Sequence, residues 1–587
     1  MNLSPPNLRN ECKSQPSWEL YCDAWFETHF NLSAMLVLTA GFLIRLRAAS
    51  GTFLNPDEAL HYLLANQSSW RLAYTASLTN AHPPLLTLVL YFWRGLGTSE
   101  FVLRLPSVIA GTAFCWIFFK WLTRIFGPLA GFVGLILVSL LPPVIALSAE
   151  VRQYALLLFF LAAAPYLLEG ALAGNSVVMM LLSAMALYFA LLSHYSAILF
   201  AAALGVYSLS RLLARRPSVK LGVAWVSGQA GAVGLVAALY ITHISKLKGE
   251  YAAGTVNGWL AHSFFRPGQD NPLLFVIART GGVFQYVFGQ LAVGDAAFLA
   301  FIAGMVLLWR EKRSPAGSSV TARQLGILLV LPFAVGAGAA IARIYPYGGT
   351  RHSAFLILFA VAGVSFLLAR AVKQQIGRGV AVAILIAAVC AAFGTPHRPY
   401  MLREDQSRTQ MTRALGFIQT QIPSSDVIVV DYQTRLLLGY YLCPGQAVSF
   451  SAPVGSVEDF QCSGHRVIAA GPDLYIFTAE NFLPQWSELL RSQRLKPDQS
   501  VWILQAGWDV NLSHELQNGV LGFRELSPQS FGRNISVFRL TAGQPAAGCE
   551  AGLNTLWLRS GVKRNQPQRL KAAYFLHDGL ENLLPEC

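Results

Sequence analysis

Apolar segments, each long enough to cross about 30 Å of hydrocarbon, recur along most of this chain, and no other feature limits its fold as severely. They begin near residues 31, 105, 128, 153, 176, 196, 221, 293, 325, 352 and 379, which predicts about eleven spans. The 54% hydrophobic and 13% charged residues leave too little polar surface for a soluble protein of 587 residues. The expected fold class is therefore a polytopic α-helical membrane protein. Its formal charge of +14 is read as cytoplasmic loops and contacts to anionic lipid, not as a nucleic-acid surface.

An odd number of spans puts the termini on opposite sides. The connections after the even-numbered spans carry 13 Lys or Arg in about 52 residues, whereas the opposite connections carry 10 in about 121. Lys and Arg concentrate in cytoplasmic loops, so the N-terminal segment 1–30 is expected inside and the C-terminus outside. A plasma membrane of bacterial type fits this layout. The N-terminal thirty residues are polar and aromatic, and no cleavable signal peptide is visible in them.

Two external connections are long enough to fold. Residues 50–104 read as amphipathic helices lying on the membrane surface, and residues 243–292 as a loop followed by a surface or re-entrant helix. The membrane domain is expected over 31–394. Beyond it, DVIVVDY, HRVIAAG, SVWILQA and NISVFRL are short β-branched runs bounded by turn residues, while SRTQMTRALGFIQTQI and PQWSELLRSQRL read as helices. Residues 395–587 should thus form a soluble extracytoplasmic α/β domain. Cys443, Cys462, Cys549 and Cys587 fall in it, where disulfides persist, and Cys443 with Cys462 is the pairing to test. Cys115 and Cys390 read as small apolar residues within spans, and Cys12 and Cys22 lack metal-ligand company.

FLNPDEALHY, directly after the first span, sets Asp57 beside Glu58 at the membrane rim. Asn55 is a good N-cap, Pro56 suits the first helical position, and Glu58 three residues after the cap nearly completes a capping box. Asp57 also suits the positive end of the helix dipole. Ionisable groups at the membrane face of a polytopic protein are functional candidates as well, and a helix start is a rigid mount for a carboxylate.

The first span with its arginines, the DE pair, HPPL about 25 residues later, RLPSVIAG opening the second span and SAEVRQYAL after the third form an ordered set over the first 215 residues. Together they resemble the polytopic GT-C glycosyltransferases, and within them family 39-like enzymes such as protein O-mannosyltransferases and bacterial aminoarabinose transferases. The resemblance implies a GT-C-like fold that moves a sugar from a polyprenyl-phosphate carrier to a glycan, lipid or protein acceptor on the outer side. It implies that Asp57 is the general base of an inverting displacement, with Glu58 and Glu150 as further acidic candidates. Glu150 either orients the acceptor or sugar, shares a metal site, or forms a salt bridge with Arg152.

A leaving lipid phosphate calls for cationic groups. The external basic candidates are Arg152, Lys246, Lys248, Arg266, Arg343 and Arg351, with His352 beside it. The stretch YPYGGTRHSAFL favours Arg351 and His352 and adds Tyr347. Its other reading is a tight turn with interfacial aromatics and a snorkelling arginine. Tyr154 either lines the site or anchors its span at the interface. His82 lies in AHPPL and His194 in a short external turn, so both, with His352, are expected to converge on Glu58 or Glu150. Pro83 and Pro84 equally suggest that AHPPL exists to stop one helix and aim the next. No cofactor is implied, and a divalent metal ion stays open, since some members of the superfamily use one and others do not. Arg45 and Arg47 read as snorkelling residues and Arg104 as a pin for the second span. The alternative class is a transporter or flippase, against which stand the lack of a repeated half and the concentration of charge in external loops.

Overall fold

The computed structural model describes residues 25–26, 28–215, 217–247, 260–311, 320–373, 375–394, 406–450, 455–496, 499–517 and 528–541. Cys12, Cys22, Lys248, Cys549, Cys587 and most of the predicted N-terminal segment lie outside them. Among the described residues, nine helices are long and apolar enough to cross a membrane. The predicted runs at 128 and 176 are also helical, but as the shorter Pro128–Leu140 and Val177–Ser193. At about 1.5 Å per residue these reach only about 20 and 26 Å. The chain is an integral membrane protein carrying a C-terminal α/β domain.

The shortness of Pro128–Leu140 has a chemical cause and a chemical remedy. Pro142 and Pro143 carry no N–H, so the carbonyls of Val138 and Ser139 lose their donors four residues on. Arg45 supplies them: it donates to Val138 O at 2.8 Å and Ser139 O at 3.0 Å, and also to Gly41 O and Cys115 Sγ. The snorkelling expected of Arg45 is corrected here, because the side chain is wholly buried between helices. A buried ion pair of Glu169 with Arg211, joined by the Tyr207 hydroxyl, likewise ties Tyr154–Gly174 to Ser196–Arg215.

The connection 50–104 folds into Pro56–Ala65, Trp70–Ser77 and Leu85–Trp93. Trp70–Ser77 exposes Trp70, Leu72 and Tyr74 as a surface helix should. Pro56–Ala65 departs from the expectation, since it is buried along most of its length and packs against the C-terminal domain through Tyr432–Tyr441. Pro272–Phe288, in the second connection, has 17 residues and is below span length.

The C-terminal domain is built on a sheet of order β2-β3-β1-β4-β6-β5. Its strands are β1 (Val427–Val430), β2 (Val457–Cys462), β3 (His465–Ala470), β4 (Ser500–Ala506), β5 (Gln529–Ser530) and β6 (Ile535–Thr541). β1 lies between β3 and β4, parallel to both, and is buried on both faces, as its unbroken VIVV run requires. Helices Arg408–Gln421 and Ala479–Arg491 flank the sheet as the sequence predicts. β2 and Tyr432–Tyr441 are additions to that reading, and a disulfide joins Cys443 to Cys462.

Candidate active site

The site begins with the capping box. Asn55 accepts from the Glu58 backbone N–H at 2.9 Å, and Glu58 Oε2 accepts from Asn55 N at 3.0 Å. Glu58 does more than cap. Its oxygens take Nε and Nη2 of Arg104, both at 2.7 Å, and Oε1 also accepts from Val151 N at 2.9 Å. Arg104 in turn donates to the carbonyls of Ala49, Thr52 and Phe53. Glu58 is fully buried and its acceptor capacity is filled, so it works as the clamp joining helix 56–65, the second span and the loop 148–153. The structure offers it no opening toward a substrate.

That clamp fixes the distance between Asp57 and the loop bearing Arg152. Arg152 Nη1 lies 2.6 Å from Asp57 Oδ2, and Arg351 Nη2 lies 2.9 Å from the same oxygen. Among the described residues, Oδ1 is left with one hydrogen-bond partner, the Tyr475 hydroxyl at 3.4 Å. Burial by itself would raise the Asp57 carboxyl, but the guanidiniums of Arg152 and then Arg351 outweigh it and hold the group well below the usual carboxylate range. Arg152 thus pairs with Asp57, not with Glu150 as one reading of the sequence had it. Burial, and then the nearby charge of Glu58, pushes Glu150 up from 4.5 to about 7.

Glu150 gives a signed prediction. Its carboxyl is easier to protonate folded than unfolded, so its contribution is most favourable below pH 4.5 and is lost as pH rises toward about 7. Glu150→Gln is expected to melt higher than the wild type at pH 8, by order 2 kcal/mol of stability, and alike at pH 4. Thermal melts in detergent across that range check it.

Histidines form a row beside the carboxylates. Ring centroids run His61 to His82 at 5.8 Å, His82 to His194 at 5.5 Å and His194 to His352 at 6.2 Å. His82, His194 and His352 do come together, but no described contact joins them to Glu58 or Glu150, and Tyr154 adds its ring 5.2 Å from His194. Burial and then Arg152 hold His61 and His194 at about 3, and burial with the neighbouring His194 keeps His82 well below its ordinary value. These three are neutral imidazoles at any physiological pH. Among the described residues no three His, Cys, Asp or Glu side chains are grouped so as to hold a metal ion.

Several expected residues stand elsewhere. Tyr347 is buried with its hydroxyl 2.7 Å from Thr280 Oγ1, and Tyr345 in its place faces His194 and His352. The turn that follows them packs so tightly on helix 272–288 that a Cβ on Gly349 would lie 2.6 Å from Gly282 O. Lys246 is exposed, and no described contact joins it to Asp57. Arg266 pairs with Asp270 at the surface.

Sequence reasoning passed over His61, Gln153, Thr350 and Tyr475. His61 carried a readable sign, since it lies four residues after Asp57 on the same helical face. Around the Asp57 cluster, buried polar atoms lack partners among the described residues: His61 Nδ1, Arg152 Nε, both amide atoms of Gln153, the Tyr154 hydroxyl and Thr350 Oγ1. Buried polar groups are ordinarily satisfied, so this concentration suits a site that binds a polar ligand.

Residues 81–241 match the family model described as dolichyl-phosphate-mannose-protein mannosyltransferase. The match spans His82, Glu150, Arg152 and His194, and it bears out the resemblance to GT-C glycosyltransferases. Asp57 and Arg351 lie outside it. No curated protein matches the chain in sequence. Among solved structures, the chain is similar to ArnT from Cupriavidus metallidurans in the apo state, with 13% identity, a TM-score of 0.48 and coverage of 86% of this chain and 97% of that one. The same protein bound to undecaprenyl phosphate gives 12% and 0.46, with the same coverage. The Archaeoglobus fulgidus oligosaccharyltransferase in its apo form gives 11% and 0.44 over 89% of this chain and 75% of that one.

Proposed function

We propose that this membrane glycosyltransferase takes a sugar from a polyprenyl-phosphate donor and gives it to an acceptor hydroxyl on the extracytoplasmic face, with Asp57 as general base and inversion at the anomeric carbon. The observation that carries the reading is the division of labour on one carboxylate. Two guanidiniums converge on Oδ2, and among the described residues the hydrogen bond to Oδ1 comes from the Tyr475 hydroxyl, at 3.4 Å. A base needs an oxygen within hydrogen-bond reach of the attacking hydroxyl, and the departing phosphate needs cations beside it.

The step balances simply. The acceptor oxygen bonds to the anomeric carbon while its proton passes to Asp57 Oδ1. The bond from that carbon to the phosphate oxygen breaks, and the lipid phosphate leaves with the electron pair toward Arg351 and Arg152. Guanidinium forks are suited to phosphate oxygens, whose charge grows as the bond breaks. A phosphate drawing on the two arginines relaxes their hold on Asp57 and raises its basicity. Glu150 and the neutral imidazoles of His61, His82 and His194 supply hydrogen-bonding groups for sugar hydroxyls.

The test supplies the full chain in lipid nanodiscs with radiolabelled polyprenyl-phosphate monosaccharides and a membrane extract. Label is expected to pass from one donor into a new glycoconjugate. Label crossing the membrane still attached to its carrier, with no new product, would favour a flippase and sink the transferase reading.

A further inference from the structure

The C-terminal domain is fastened to the very segment that carries Asp57. Its Tyr441 hydroxyl accepts from Leu54 N at 2.7 Å, Gln406 donates to Phe53 O at 2.7 Å, and the Tyr440 ring meets Tyr62 edge-on at 5.1 Å. Gly507, at φ +126°, approaches so closely that a Cβ there would stand 2.6 Å from Pro56 Cγ. From this interface one side chain reaches the proposed base. The Tyr475 hydroxyl lies 3.4 Å from Asp57 Oδ1, the oxygen that neither arginine takes.

The loop delivering Tyr475 is pinned on both sides. Tyr432 N donates to Leu474 O at 3.1 Å, Gln433 N to Tyr475 O at 3.0 Å, and Phe477 N to buried Asp431 at 3.1 Å. Asp431 also caps helix 432–441 through Thr434 N, so the helix that docks on the Asp57 mount and the loop that reaches Asp57 share one anchor. A tyrosine held this way cannot drift without the whole domain moving.

Resting on the reading of Asp57 as base, we propose that Tyr475 is a positioning residue for the transfer and that supplying it is a function of the C-terminal domain. Its hydroxyl holds Oδ1 toward the incoming acceptor. At 3.4 Å the contact is longer than an ordinary O–H···O bond of about 2.7 Å, so it aims the carboxylate without taking much of its basicity. Oδ1 has two lone pairs, so the tyrosine and the acceptor hydroxyl can share it.

The experiment uses full-length wild type, Tyr475→Phe and Tyr475→Ala in nanodiscs, with the donor and acceptor fraction that the wild type turns over. Tyr475→Phe keeps the ring and its packing on Tyr432, at 5.9 Å between centroids, and removes only the hydroxyl. Its kcat is expected to fall five- to twentyfold, with the donor KM within twofold of wild type and an unchanged melting temperature. Unchanged kcat, or a loss of activity that tracks a loss of folded protein, overturns the proposal. A second readout needs no turnover: labelling of Asp57 by a water-soluble carbodiimide and an amine, followed by mass spectrometry. Labelling is expected to be severalfold faster in Tyr475→Phe, and equal rates overturn the contact. A wild type that transfers no sugar while the labelling rates differ would end the transferase reading and leave the contact standing.

Discussion

Asp57→Asn is expected to lower sugar transfer about 10²- to 10⁴-fold, the range over which a positioned base contributes. Asparagine keeps the shape and the helix start but cannot take the acceptor proton. Stability should fall at neutral pH, since the guanidiniums that hold the carboxyl below its usual range more than offset the cost of burying it. The amide also leaves Arg152, whose side chain is 4% exposed, without its anionic partner. Activity per folded molecule, not melting temperature, is therefore the decisive readout. Single-turnover transfer in nanodiscs, with wild type and Asp57→Asn matched for folded protein, checks it. Retention of more than a tenth of wild-type activity would remove Asp57 as base.

The second large effect is on stability. Arg104→Ala strands Glu58 in a fully buried setting and releases three backbone carbonyls at once. Breaking a buried pair by removing one partner costs about 3–5 kcal/mol. The double variant Glu58→Gln with Arg104→Leu removes both charges and is expected to recover part of that loss. Detergent thermal melts of the three proteins check the order: wild type highest, double variant next, Arg104→Ala lowest. The double variant should also lose activity in excess of its lost stability, because the clamp sets the spacing of Asp57 from Arg152.

Much of this was legible in the sequence because hydrocarbon imposes a crude rule. A span must be apolar and long, so helices such as Tyr154–Gly174 and Ile376–Phe393 could be placed from composition alone. The capping box at Asn55 was equally readable, since its chemistry lies within four residues. Glu58 shows where local reading stops. Its place as N3 of a helix was visible, but Arg104, 46 residues away, decides that it is a clamp and not a reactive acid. Arg45 is the same lesson within the membrane, since its buried partners depend on prolines about a hundred positions later. Arg351 was favoured for the aromatic and glycine-rich turn around it, and its pairing with Asp57 spans 294 residues. Tyr345 and Tyr347 sit in one short turn, and only packing against helix 272–288 separates the one facing the histidines from the one facing Thr280. Tyr475 carried no signal, because nothing local distinguishes a loop tyrosine that reaches another domain.

Two guanidiniums on one carboxylate leave the heart of the site with a surplus of one positive charge, counting Asp57 against Arg152 and Arg351. The proposed donor is a phosphodiester with a single negative charge, which brings that tally to zero. The spent carrier is a monoester whose second ionisation falls near pH 6, so at neutral pH it carries close to two. In the same seat, once Asp57 has given up the acceptor's proton, the tally falls to about minus one, so electroneutrality favours the substrate over the product. An enzyme so arranged lets go of what it has finished with, and shedding that proton helps to send the empty carrier back into the bilayer.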